Sequence, residues 1–156
     1  MKLSSTLLRW FAKNRRDLPF RRSRDPYRVW VAEVILQQTR IQTGAERWRR
    51  FIRRFPSVRA LARASPASVV REWAGLGYYA RARNLHRAAR IIERDGGRIP
   101  REVAGLRALP GVGPYIAGAI ASIAFGADEP AVDGNAIRVL SRLFAIRETR
   151  DVEPVA

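Results

Sequence analysis

The apolar positions of this chain recur every three to four residues over most of its length, which is the spacing that forms one face of an α-helix. No stretch alternates apolar and polar residues as a half-buried strand would. Proline, glycine and capping residues divide the pattern into predicted helices. These helices span residues 3–13, 27–37, 41–55, 57–64, 66–73, 79–94, 102–108, 113–125 and 134–144. The pattern therefore predicts an all-α fold.

The predicted helix over 27–37 is apolar nearly all round, which is typical of a buried helix. Glu33 lies in the middle of it. Burial disfavours a charged carboxylate, so we expect the pKa of Glu33 to be raised. A carboxyl that stays protonated at neutral pH is what a general acid requires. The alternative is an ion pair between Glu33 and one of the many arginines.

A glycine-containing turn, L-P-G-V-G over residues 109–113, joins two predicted helices. Glycines at a helix N-terminus allow backbone N–H groups to face outward and to hold a phosphate. The same letters also fit an ordinary turn between helices. Asp133 then precedes the helix over 134–144, where it is either a helix N-cap or a second catalytic carboxylate.

Earlier in the chain, two tyrosines have two interpretations, and one histidine has a single expected position. Tyr78 and Tyr79 follow glycines, so they either contact nucleic-acid bases or pack a turn in the core. His86 lies in the arginine-rich helix over 79–94, and we expect it to be a surface residue.

The charge balance narrows the class of partner. The chain has 30 Lys and Arg against 14 Asp and Glu, a net charge of +16, which favours a nucleic-acid partner over a membrane surface. The absence of cysteine excludes disulfides and thiolate metal sites, and one histidine cannot form a histidine-rich metal site. The longest nearly apolar run, 115–127, is shorter than the roughly twenty residues of a membrane span. We therefore expect no membrane association and a soluble cytoplasmic protein, nucleoid-associated if bacterial.

Four segments together carry a family resemblance. In order and spacing they resemble the adenine-specific mismatch DNA glycosylases of the MutY type, within the helix-hairpin-helix glycosylase superfamily. The segments are E-V-I-L-Q-Q-T at 33–39, G-L-G-Y-Y-A-R-A-R-N-L at 75–85, L-P-G-V-G at 109–113 and V-D-G-N at 132–135. The resemblance implies an all-α helical barrel whose helix-hairpin-helix motif spans about residues 101–125.

The resemblance also implies a reaction and its residues. Such enzymes flip adenine opposite 8-oxoguanine or guanine out of the duplex and hydrolyse its N-glycosidic bond. Glu33 matches the general acid that protonates adenine N7, and Asp133 matches the carboxylate that stabilises the oxocarbenium-like sugar. Asn135 and Tyr115 match polar residues that position these two groups.

Other matched positions are implied to contact the base or the duplex. Phe20 and Arg21 resemble the part of the pocket that recognises adenine. Gln38 and Tyr78 resemble residues that insert into the duplex. The hairpin residues implied to bind the DNA backbone are Gly111, Val112 and Gly113. The implied partner is double-stranded DNA with a mispair, bound by a monomer.

Two alternatives to adenine removal remain at this stage. Related lyases carry a lysine in the helix after the hairpin, where this chain has Tyr115, so Schiff-base chemistry from that position is not expected. Thymine or uracil mismatch glycosylases are similar at this position and form the first alternative. The second is a DNA-binding fragment without activity.

The chain also departs from the family pattern. Full-length relatives continue to a four-cysteine iron–sulfur cluster and to a domain that recognises oxidised guanine, whereas this chain has no cysteine, so we expect no cofactor in it. We interpret it as a fragment or a short form. Residues 1–24 and 133–156 would belong to an incomplete second half-domain, and 25–132 would form a six-helix barrel. The apolar side chains of the first helix would then be exposed, namely Leu7, Leu8 and Phe11.

Overall fold

The computed structural model describes residues 3–146, and within them every predicted helix is present with its ends within one residue of the prediction. No strand occurs between residues 3 and 146, so the all-α prediction is confirmed. A short 3-10 helix at Pro19–Arg22 lies before the second α-helix. The α-helices are α1 (Leu3–Asn14), α2 (Pro26–Leu36), α3 (Ile41–Arg54), α4 (Val58–Arg63), α5 (Pro66–Glu72), α6 (Ala80–Arg94), α7 (Val103–Arg107), α8 (Pro114–Phe125) and α9 (Gly134–Phe144).

Four helices, α2, α4, α5 and α9, start at a residue whose side chain caps the first turn. The Asp25 side chain accepts a 2.8 Å hydrogen bond from the backbone N–H of Arg28, and Pro26 occupies the first turn of α2. Ser65 caps α5 in the same way, through the N–H of Ser68 at 3.2 Å. These bonds involve residues three apart in the chain, which is why the starts of the capped helices were predictable.

The core forms where helices that are apolar on all sides meet. Helix α2 lies between α3 and α8, and both α2 and α8 are buried along most of their length. Phe51 of α3 packs edge-to-face on Trp73 with ring centroids 5.8 Å apart, and both side chains are almost fully buried. This arrangement leaves few polar side chains within the core, and Glu33 of α2 lies at its border.

Helices α1 and α9 contribute no buried residue. Leu8 is 68% exposed, and Leu7 and Phe11 are also exposed, as expected from the sequence. The division of the chain at residues 24 and 132 stays a prediction; seven α-helices, α2 to α8, lie between those two boundaries, one more than in the predicted six-helix barrel. Residues 1–2 and 147–156, which belong to the outer predicted domains, lie outside the described residues.

One expectation is wrong. His86 was expected on the surface, but its side chain is buried, with 5% exposed. Helix α6 packs against both α4 and α5, so its apolar face is covered over a wide arc that includes position 86.

Between residues 3 and 146, no helix combines the length and the apolar content needed to cross a bilayer.

Candidate active site

Glu33 and Tyr115 meet where α2 packs against α8. The Tyr115 hydroxyl donates a 2.8 Å hydrogen bond to Oε2 of Glu33. Both side chains are half-buried, while the neighbours of Glu33 in the chain, Ala32 and Val34, are buried. The carboxyl therefore has one specific partner at the edge of an apolar environment.

The pKa of Glu33 is raised above its usual value, as the sequence predicted. Burial is the largest cause, and the negative charge of Asp133 adds to it. The hydrogen bond from Tyr115 and the positive charge of Arg21 act in the opposite direction because they favour the carboxylate. Burial and the adjacent Glu33 carboxyl raise the pKa of Tyr115 as well, so its hydroxyl keeps its proton and remains a donor.

Asp133 is the N-cap of α9 and also lies at the same site as Glu33. Its carboxylate accepts a 2.7 Å hydrogen bond from the backbone N–H of Ala136 and a 3.2 Å bond from Nδ2 of Asn135. Asn135 is oriented in turn by Arg138, whose guanidinium donates to Oδ1 of Asn135 at 2.7 Å. The same cap hydrogen bonds hold the Asp133 carboxylate as an acceptor at the site. The cap interpretation and the site interpretation of Asp133 are therefore compatible.

The two carboxyl groups line one cavity of about 1020 Å³, together with Tyr115. Arg21 and Phe20 line it as well; Phe20 is buried and packs edge-to-face on Trp48, so it forms a wall of the cavity. A second cavity of about 890 Å³ shares the two carboxyls and Tyr115. The residues common to both cavities are Glu33, Leu36, Tyr115, Asp133 and Asn135.

Gln38 and Tyr78 line the second cavity at its exposed side. Tyr78 is 69% exposed and Tyr79 is 39% exposed, so the interpretation of these tyrosines as core aromatics is wrong. The buried aromatic of this segment is Trp73 instead, whose Nε1 donates to the carbonyl oxygen of Gly77.

The hairpin residues lie next to the site rather than in either of these cavities. Gly111 has φ +78°, and a Cβ there would lie 2.8 Å from Cβ of Asn84, so both backbone conformation and packing require glycine. Val112 is buried, with 5% exposed, and its N–H donates to the Leu109 carbonyl oxygen, so its side chain is a core residue. Gly113 begins α8 without a side-chain cap, and a Cβ there would meet no atom within 4 Å. The first turn of α8 therefore offers uncapped N–H groups to an anion.

Sequence reasoning missed Gly118, which sets the position of the loop before Asp133. A Cβ on Gly118 would lie 2.1 Å from the carbonyl oxygen of Pro130. The loop over 126–133 therefore crosses α8 at a distance that only glycine permits. A glycine inside an otherwise apolar helix costs about 1 kcal/mol relative to alanine, and this was the available signal for a close approach.

The arrangement can perform acid-assisted bond cleavage. One carboxyl favours its protonated form because it is buried, and a second carboxyl is held as an acceptor across the same cavity. Among residues 3–146, no group of three or more His, Cys, Asp or Glu could hold a metal ion. These 156 residues contain no cysteine, so they do not fit a four-cysteine iron–sulfur cluster.

Comparison with known proteins points to DNA repair. Residues 31–156 match the model of the HhH-GPD superfamily base excision DNA repair protein. The chain is 47% identical over 150 residues to an adenine DNA glycosylase of Rattus norvegicus, covering 90% of the chain and 29% of that protein. It is 41% identical over 157 residues to the Mycolicibacterium smegmatis adenine DNA glycosylase, covering 96% and 54%. The chain thus spans about three tenths of the first of these relatives.

Solved structures show the same fold. A thermostable thymine-DNA glycosylase superposes with a TM-score of 0.82 at 31% identity, over 88% of this chain and 64% of that one. An endonuclease III trapped in a covalent intermediate with DNA superposes with a TM-score of 0.82 at 23% identity, over 96% and 71%. The endonuclease supports the fold alone.

Proposed function

The chain belongs to the HhH-GPD superfamily of base excision DNA repair proteins, and we propose that it carries the catalytic residues of an adenine DNA glycosylase. Its substrate would be duplex DNA with adenine opposite 8-oxoguanine or guanine, bound by a monomer. The observation that carries the proposal is the site itself: a protonation-prone Glu33, held by Tyr115, shares a cavity with Asp133.

The target base must leave the duplex before it can reach Glu33, because the atoms of the glycosidic bond are covered in the stack. The cavities beside Glu33 hold about 890 and 1020 Å³, which is enough space for one extruded purine nucleotide. Gln38 and Tyr78 lie on the exposed side of the smaller one, where they would fill the gap that the extruded base leaves.

Bond cleavage would then begin with transfer of a proton from Glu33 to the extruded adenine. The protonated Glu33 carboxyl donates its proton to adenine N7, and the C1′–N9 bond breaks with its electron pair moving into the adenine ring. Adenine leaves neutral, and the sugar becomes an oxocarbenium ion. The Asp133 carboxylate stabilises that positive charge. Hydrogen bonds from Ala136 and Asn135 already hold the carboxylate in place, so it does not have to reorient during the reaction.

Hydrolysis is completed by water. A water molecule adds its oxygen to C1′ and gives up a proton, which the Glu33 carboxylate can accept because it has just lost its own. The products are free adenine and an abasic site. By the family resemblance, Tyr115 stands where related lyases carry a lysine, and the one lysine among residues 3–146, Lys13, lies on exposed α1. The site therefore offers no amine on α8 for strand cleavage.

The thymine-DNA glycosylase that shares this fold at 31% identity favours a second candidate, removal of thymine or uracil opposite guanine. Thymine has no N7, so the proton donated by Glu33 would need another acceptor on the base. The identity of the base that the protein releases distinguishes the two candidate functions.

A substrate panel tests the proposal. The protein is incubated with duplexes containing 8-oxoguanine·A, G·A, G·T, G·U or only matched pairs, and the released base is identified by chromatography. We expect adenine from the first two, and a loss on the order of 10²–10⁴-fold in single-turnover rate for Glu33→Gln. Glu46→Gln, which changes an exposed glutamate on α3, is the matched control. Release of thymine or uracil instead would establish the second candidate. Salt-sensitive duplex binding without release of any base would contradict both.

A further inference from the structure

Two exposed residues beside the second cavity have backbone conformations that L-residues rarely adopt. Gln38 has φ +56° and Tyr78 has φ +44°. The left-handed region is unfavourable for residues with a Cβ, and such strain persists only where the surrounding structure imposes it. Both residues therefore need a group that holds their loops.

The guanidinium of Arg81 lies between these two loops. Its Nη1 donates to the carbonyl oxygens of Val34, at 2.9 Å, and Gln37. Its Nη2 donates to the carbonyl oxygen of Leu76 at 3.0 Å, with a longer contact of 3.4 Å to that of Gly77. One planar group thus binds the end of α2 directly before Gln38 and the glycine loop directly before Tyr78.

Aromatic contacts complete this arrangement. Cζ of Arg81 lies 5.4 Å from the ring centroid of Trp73 and 5.8 Å from that of Tyr78, within the range of cation–π attraction. Trp73 is fully buried, and its Nε1 donates to the carbonyl oxygen of Gly77 at 3.1 Å. The Arg81 side chain is therefore seated on the core while it contacts the exposed ring.

We propose that Arg81 is a positioning residue that joins the loops of Gln38 and Tyr78 into one rigid unit, so that both side chains enter the duplex together. This proposal rests on the proposed function for its role in DNA, but the joining of the loops is a property of the free protein. An arginine suits the task because its planar fork presents donors in two directions, whereas the compact ammonium of lysine cannot reach both loops at once.

The first test uses the protein without DNA. Hydrogen exchange of backbone amides is followed in peptides covering 36–40 and 75–79 for Arg81→Ala, Arg81→Lys and Arg90→Ala. Arg90 is exposed on the opposite side of α6, so Arg90→Ala removes the same charge from the same helix and serves as the control. We expect exchange on the order of tenfold faster in both peptides for either Arg81 variant, with no change in α8 or in Arg90→Ala. Exchange unchanged in these peptides would overturn the proposal whether or not the protein is a glycosylase.

The second test separates positioning from general stability. Single-turnover adenine release is measured for Arg81→Lys, for the pair Gln38→Ala and Tyr78→Ala, and for the combination. If Arg81 acts through these residues, its change costs on the order of tenfold in the parent and less than twofold in the background that lacks both side chains. An equal loss in both backgrounds would overturn the proposal. If the parent releases no adenine, the proposed function fails, and the same cycle is measured on duplex affinity.

Discussion

The Tyr115 hydroxyl donates a 2.8 Å hydrogen bond to a Glu33 carboxylate oxygen from 82 residues away in the chain. This bond favours the ionised form of Glu33, whereas burial favours the protonated form more strongly. The carboxyl is therefore prone to protonation, and its hydrogen bond to Tyr115 fixes its orientation. A residue that must give up a proton and then accept one from water needs both properties.

The pH dependence of base release should follow the ionisation of Glu33. The rate falls as pH rises through the raised pKa of Glu33, because the ionised carboxyl has no proton to donate. Tyr115→Phe removes a hydrogen bond that lowers this pKa, so we expect the alkaline fall in rate to move to higher pH. Single-turnover rates across the acidic and neutral range measure the shift, and a shift to lower pH would contradict this assignment.

The stability of the fold should also depend on Glu33. Its pKa is 4.5 in the unfolded reference and higher in the folded protein, so the folded state binds the proton more tightly. The resulting stabilisation is complete below about pH 4.5 and is lost as pH rises through the folded pKa. Glu33→Gln cannot ionise, so its free energy of unfolding should decline less with pH over that range. Urea unfolding at several pH values tests this, and parallel curves for the two proteins would contradict it.

Asp133 caps α9, and its proposed catalytic role can be separated from the cap by substitution. Asparagine caps a helix as well as aspartate does, so Asp133→Asn should leave stability nearly unchanged while it lowers base release on the order of 10²–10³-fold. Asp133→Ala should lose the rate and also about 1 kcal/mol of stability. Asp25→Ala, at the cap of α2, should lose a similar stability with little change in rate. A full rate in Asp133→Asn would leave Asp133 only its role as a cap.

Gly118→Ala should displace the loop that carries Asp133, because the added Cβ would lie 2.1 Å from the Pro130 carbonyl oxygen. We expect a destabilisation of about 1–3 kcal/mol and a fall in base release at a temperature where the variant is folded. Gly105→Ala, on α7, is the control, because its added Cβ would also be too close to a neighbour, lying 2.9 Å from Cβ of Pro100. It should lose stability but keep the rate of the folded parent. Equal effects of the two variants on the rate of folded protein would contradict a positional role.

Gly111→Ala should weaken duplex binding. A Cβ at this position is strained by φ +78° and would lie 2.8 Å from Asn84, so the hairpin must shift relative to α6. Gly97→Ala has a similar φ of +75° and lies in the loop after α6. Both variants should lose about 1–2 kcal/mol of folding stability, because alanine is strained in the left-handed backbone region. Fluorescence anisotropy with a labelled duplex should show weaker binding in Gly111→Ala alone; unchanged affinity would place the phosphate contact elsewhere.

Local chemistry explains which features could be predicted. Helix ends were predictable because caps such as Asp25 and Ser65 bond to residues three positions away. The raised pKa of Glu33 was predictable because a helix that is apolar all round has no face for water. The burial of His86 was not predictable, because it depends on how α4 and α5 pack against α6, and the sequence of α6 does not show that packing.

The sequence by itself therefore determined the helices, the apolar environment of Glu33 and, through its four motifs, the family. Tertiary structure alone decided that Tyr115 donates to Glu33, that Pro130 crosses α8 at Gly118, and that Arg81 joins the loops of Gln38 and Tyr78. The physical reason is range. Propensity, capping and hydrophobic period act over a few residues, whereas these contacts connect segments that meet only after the helices have packed.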